Sequence, residues 1–228
     1  EPDVIRAEDP TAFVELVDLG TGSRTMYDRR HGWVTREAYL FEARFSDGPP
    51  VEVQVNPEFG SVAAARAEAA YYLPVIGKVP RSLRTDLDTV WLHQGDMPFG
   101  GGNNNLLIHT GSIAQGYIAE GILEETFVHE SAHTSLDAYH AASPGWLAAQ
   151  AADMEFISTY ARDNPTQEDV AESFLPWLML QLAGDRIDPA MKQTIEATIP
   201  ARLAYFDAQG FDLRPQGDVD AVFADGFE

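Results

Sequence analysis

The segment His129-Glu130-Ser131-Ala132-His133 carries the sharpest chemical signal in this 228-residue chain. On a helix, positions i and i+4 share one face a turn apart, so both imidazoles can meet a single ion while Glu130 projects beside them toward a water. This is a zinc-binding spacing, and it makes Glu130 the general-base candidate. Catalytic zinc takes three protein ligands and keeps one position open, so a third donor is required. A histidine six residues after the second would complete one known arrangement, but position 139 is tyrosine and His140 is one residue out of register. Asp137, four residues after His133, is placed either to ligate or to orient an imidazole. Further along, Glu168 and Glu172 repeat the i, i+4 spacing on a later helix. Such a pair can give one carboxylate to the metal and another to an imidazole N–H, fixing its tautomer.

These residues need elements that hold them. Residues 11–18 alternate apolar and polar, and Gly20-Thr21-Gly22-Ser23 then reads as a turn into residues 24–29, a first hairpin. Residues 38–45 and 51–55 flank Asp47-Gly48-Pro49-Pro50 as a second. Residues 61–73 read as a helix with Ser61 as N-cap and Pro74 as its limit. Residues 89–93 and 106–109 read as short strands on either side of the Gly100–Asn105 loop. That loop lacks the Gly-Lys-Ser/Thr ending of a phosphate cradle. One helix is expected from about residue 121 to 139, carrying the histidines. A second should start at Ser143-Pro144 and run to about residue 162. A third opens with Thr166 and Asp169 as a capping box, and a fourth opens at Asp188-Pro189. The neighbours Val170, Phe174, Leu175, Trp177 and Leu178 give the third helix an apolar face, and Ala171 permits close approach. The expected class is α+β: a β-rich region over residues 1–60, a helical metal-binding unit over 61–210, and an acidic tail over 211–228.

Composition narrows the partners. Thirty-six acidic residues against fifteen basic ones give a net charge of −21, which repels phosphate backbones and anionic membranes. No nucleic acid and no membrane insertion are therefore expected, and no apolar run reaches the ~20 residues of a membrane span. Cysteine is absent, so any metal must be held by His, Asp or Glu.

Three separated motifs, residues 129–139 (HESAHTSLDAY), 160–164 (YARDN) and 168–174 (EDVAESF), resemble the catalytic domain of the anthrax lethal factor type of zinc metallopeptidase, a gluzincin. The resemblance spans about residues 106–206. It implies a zincin-type lobe, one zinc ion, and an endopeptidase acting on peptide or protein substrates. It also implies His129, His133 and Glu168 as ligands, Glu130 as general base, Glu172 as the second acidic position and Tyr160 as oxyanion donor. The tyrosine-to-glutamate interval is one residue longer here than in that family. On this reading the strand with Leu107, Ile108 and His109 is the sheet edge on which substrate lies. The competing expectations are a zincin-fold peptide-binding module without turnover, and a zinc hydrolase whose third ligand is Asp137 or His140. Export to a secreted or periplasmic location accompanies the resemblance to a toxin enzyme.

Overall fold

Alternating apolar residues dictate strands over the first 55 positions, and the computed structural model, which describes residues 3–184 and 186–216, forms three of them. These are β1 (Phe13–Asp28), β2 (Gly32–Phe45) and β3 (Val51–Val55), joined as successive antiparallel pairs. Helix α1 (Val62–Ile76) then crosses to β4 (Thr89–His93), which runs parallel to β3. The strand β6 (Asn105–His109) is parallel to β4, and β5 (Gly100–Gly102) folds back antiparallel onto β6. The sheet order is β1-β2-β3-β4-β6-β5. The chain is thus a mixed α+β fold.

The first expected hairpin is corrected. Residues 13–28 form one strand, because Gly20, at φ +83°, makes a bulge between Asp18 and Gly20 rather than a reversal. The chain instead reverses between Asp28 and Gly32, where Asp28 Oδ1 accepts the N–H of Arg30. The second hairpin falls at residues 38–55 as expected. Ser61 caps α1 by accepting from Ala64 N, but Pro74 lies inside the helix. Buried Leu73 and Ile76 hold the last turn despite the missing N–H.

The second half of the chain is helical: α2 (Ser112–Ala119), α3 (Leu123–Ser135), α4 (Asp137–His140), α5 (Pro144–Asp153), α6 (Thr159–Asp163), α7 (Asp169–Ala183), α8 (Pro189–Thr198) and α9 (Pro200–Asp207). The expected helix over 121–139 divides at Leu136, whose φ of −112° departs from helical values. The one expected over 143–162 ends at Asp153, because Met154 adopts the left-handed conformation at φ +61°. The Thr166 capping box does not form; α7 begins at Asp169 after a turn in which Glu168 N–H bonds the carbonyl of Asn164. Asp188 caps α8 as expected, accepting from Ala190 N and Met191 N.

One core joins sheet and helices. Val53, Val90, Leu92 and Ile108 from the sheet meet Leu73 of α1, Phe127 and Val128 of α3, and Phe174 of α7. Ala132 and Ala171 are fully buried, which lets α3 and α7 approach closely. Phe211, at the start of the expected acidic tail, packs against Phe174, Trp177 and Phe206 instead of trailing into solvent. Residues 217–228 of that tail lie outside the described residues. Among the described residues no helix is long and apolar enough to cross a membrane.

Candidate metal centre

Helix α3 presents His129 and His133 on the same face, as the i, i+4 spacing requires. Their Nε2 atoms lie 3.1 Å apart. Glu168, just ahead of α7, brings its Oε2 to 3.5 Å from His129 Nε2 and 3.2 Å from His133 Nε2. Three donor atoms around a zinc at 2.0–2.2 Å in tetrahedral array would be separated by about 3.3 Å, close to each of these values. Among the described residues this is the one group of three or more His, Asp and Glu side chains set to share an ion.

Hydrogen bonding outside the trio fixes which nitrogens point inward. His133 Nδ1 lies 2.8 Å from Asp137 Oδ2; a carboxylate can only accept, so Nδ1 carries the proton and Nε2 presents a lone pair. His129 Nδ1 faces Glu172 Oε1 at 3.4 Å, and Ser158 Oγ donates to the other oxygen of Glu172. Asp137 and Glu172 therefore take the orienting places. Two imidazole lone pairs and a carboxylate oxygen then face one another, and Glu168 Oε2 is buried without a hydrogen-bond partner. Two imidazole nitrogens and a carboxylate oxygen at this spacing are a donor set that zinc takes, so the residues present fit a zinc ion.

The charges at the centre are set by these contacts. The adjacent His129 imidazole, with His133 and the Tyr160 hydroxyl and against burial, holds the Glu168 carboxyl below its usual range. Burial pushes Glu130 upward, only partly opposed by the neighbouring histidines and Arg29. Burial also opposes charge on His133, but Asp137, with Glu130 and Glu168 beside it, lifts the imidazole above its usual value. Tyr160, half-exposed on α6, donates its hydroxyl to Glu168 Oε1 at 2.9 Å, which raises its own pKa. The extra residue in the tyrosine-to-glutamate interval does not keep this hydroxyl from the centre.

All of these groups border a cleft of about 500 Å³ whose opposite wall is β5. The strand and α3 are locked together: Thr134 Oγ1 accepts from Gly102 N at 3.0 Å and donates to the Asn105 carbonyl at 2.8 Å. A Cβ at Gly101 would collide with the carbonyl of Glu130, so only glycine allows the strand this close to the metal helix. Asn103 and Asn104, both at positive φ, close the tight turn between β5 and β6.

This pairing corrects the expected substrate strand. β6 is flanked by β4 and β5 and is buried throughout, so Leu107, Ile108 and His109 do not line the cleft. His109 Nδ1 bonds the Gln94 carbonyl at 3.0 Å, and His109 Nε2 accepts from Arg29 N. At this end of the sheet the outermost strand is β5, Gly100–Gly102, whose Gly102 N–H is already given to Thr134. His140 is also apart from the trio; its Nδ1 meets Tyr205 Oη at 2.7 Å and its ring packs on Phe211.

Two contributions have no signature in the sequence. Arg29, from the turn between β1 and β2, lines the cleft and donates from Nη2 to the Phe99 carbonyl at 2.8 Å. Behind Glu168, Arg202 bridges Asp169 at 2.9 Å and Asp153 at 3.0 Å, all three side chains being fully buried. Asp153 also receives the N–H groups of Ala201 and Arg202, which explains why α5 stops there. This network anchors the first residue of α7, and so the adjoining Glu168. Only pairing between distant elements reveals either feature. Comparison of the chain with known protein families, with curated proteins and with solved structures yields no match.

Proposed function

We propose that this chain is a zinc-dependent endopeptidase with a gluzincin-like centre, His129, His133 and Glu168 holding one zinc ion. The observation that carries the reading is the convergence of the two Nε2 atoms and Glu168 Oε2 within 3.1 to 3.5 Å, each imidazole backed by its own carboxylate. Zinc bound there supplies Lewis acidity, polarising a carbonyl and acidifying water.

The protein's own groups do the rest. An extended peptide lies along β5 where the strand walls the cleft, beyond the Gly102 N–H that Thr134 already takes, with its scissile carbonyl brought over the trio. Glu130 takes a proton from the attacking water onto its carboxylate and delivers it to the leaving amine nitrogen. Its burial raises its basicity, which suits it to hold that proton between the two steps. Tyr160, on releasing Glu168, donates its hydroxyl to the oxygen that gains charge as the carbonyl becomes tetrahedral. Asp137 and Glu172 keep both imidazoles in the tautomer that presents Nε2.

Glu130→Gln is the test. The variant is expected to keep one zinc per chain by elemental analysis while cleavage of a mixed peptide library falls by about 10²- to 10⁴-fold, the usual contribution of a general base. Undiminished cleavage by that variant, or absence of zinc from the purified parent after zinc reconstitution, rejects the reading.

A further inference from the structure

Beside the metal cleft lies a second cavity of about 460 Å³, and His129 is a wall of both. It is large enough for a side chain rather than a water, within the ~300–1,000 Å³ range of ligand pockets. Its apolar surface comes from Ile122, ahead of α3, and from Leu175 and Met179 of α7. Its polar surface is acidic: Asp3 and Glu120 are exposed there, and Glu125 lines it with an Oε2 atom that is buried and has no hydrogen-bond partner. No lysine or arginine among the described residues lines it. Two cations bonded to segments that adjoin it are committed: Lys78 to Glu124 and the carbonyls of Arg6 and Ala7, Arg186 to the carbonyls of Asp3, Val4 and Leu182.

An apolar wall under two exposed carboxylates, backed by a Glu125 carboxyl whose Oε1 already accepts the N–H groups of Val4 and Ile5, matches one kind of side chain. Lysine and arginine lay a three- or four-carbon stem along apolar surface and keep a cationic head at a polar rim. A purely aliphatic side chain would fill the wall but leave Glu120 and Asp3 without a counter-charge, and an acidic one would be repelled. Resting on the endopeptidase reading above, we infer that this cavity is a specificity subsite for a basic residue flanking the scissile bond. The net charge of −21 acquires a local purpose here: it draws cationic peptides toward the cleft, and this cavity sets their register.

Two measurements test this and separate it from the hydrolase reading. The first is cleavage profiling of the zinc-loaded chain on a mixed peptide library, with lysine and arginine expected to dominate one position next to the cleaved bond. The second is binding, read by fluorescence anisotropy on the Glu130→Gln chain, of a peptide matched to that profile with arginine, norleucine or glutamate at the selected position. Arginine should bind about tenfold more tightly than norleucine. Glu120→Lys, an exposed change that the fold tolerates, should erase that ratio and favour glutamate. Met179→Trp, which fills the cavity, should weaken arginine and norleucine peptides together. Cleavage with no basic preference, or an arginine-to-norleucine ratio unmoved in Glu120→Lys, overturns the subsite while leaving the hydrolase standing. A library that is not cut at all overturns both.

Discussion

Two regions of this chain gather a pair of histidines with carboxylates, and they are built to opposite plans. Near the end of β1, Asp28, Asn56, His93 and His109 are all buried. Asp28 accepts the N–H and guanidinium of Arg30, whose Nη2 reaches on to Glu58. His93 Nδ1 contacts Asn56 Nδ2 at 2.9 Å, His109 Nδ1 bonds the Gln94 carbonyl, and the two rings stack with centroids 5.3 Å apart. Of their four ring nitrogens, only Nε2 of His93 lacks a partner. At the candidate metal centre the Nδ1 atoms are satisfied from outside while both Nε2 atoms and a carboxylate oxygen converge beside an open cleft. Histidines near carboxylates therefore do not by themselves make a metal site. What sets the candidate centre apart is that three possible ligand atoms, His129 Nε2, His133 Nε2 and Glu168 Oε2, converge on one point.

The largest effect should come from removing those ligand atoms. His133→Ala and Glu168→Ala are expected to lose stoichiometric zinc through gel filtration, whereas His93→Gln and His109→Gln, where folded by circular dichroism, should each retain one zinc per chain. Equal zinc loss in both sets would erase the distinction between the regions.

Next in size is a cost to the fold. Arg202 closes a buried network with Asp153 and Asp169, so Arg202→Met leaves two carboxylates buried without their cation. Breaking such a pair costs about 3–5 kcal/mol, which urea unfolding of the zinc-free chain would read. A change below about 1 kcal/mol would mean that the network does not anchor the start of α7.

Much of the candidate centre's geometry was legible in the sequence because its spacing is local. The i, i+4 geometry placed His129 with His133, and Asp137 behind the second of them, without any tertiary information. Glu168 required a resemblance, since nothing within residues 166–172 says which of two carboxylates turns inward; the turn ahead of α7 decides it. The strands over residues 38–55 and 89–93 followed from alternation and from Gly-Pro punctuation. What was not legible depends on pairing across distance. Gly20 and Gly100–Gly102 read equally well as turns, but the first became a bulge within a long strand and the second an edge strand, because partners outside each segment supplied the ladder. That edge strand displaced Leu107–His109 from the cleft. Arg29 reached it only because the reversal of the first hairpin falls eight residues later than Gly20-Thr21 suggested.

A smaller effect sharpens the comparison through pH. Burial lowers His93 to about 4, whereas an unfolded imidazole titrates near 6.5. Between those values the unfolded chain binds a proton that the native chain refuses, so this residue's contribution to stability is present above about pH 6.5 and is lost as pH falls toward 4. From pH 7 to pH 5 the loss is about 2 kcal/mol. Asp28, held at about 2 because its hydrogen bonds from Arg30 outweigh the burial that opposes ionisation, begins to cost stability only at lower pH, below the ordinary carboxylate value. His133 acts in the opposite sense: its pKa is raised, so in the zinc-free chain it favours the native state as pH falls. Subtracting the urea-unfolding profile of His93→Gln from that of the parent, both zinc-free, cancels His133 and isolates His93. A difference that grows by about 2 kcal/mol between pH 5 and pH 7 identifies the closed cluster as the acid-sensitive part of the fold. A flat difference would show that His93 takes up its proton in the native state, and that the cluster is less closed than its hydrogen bonds imply.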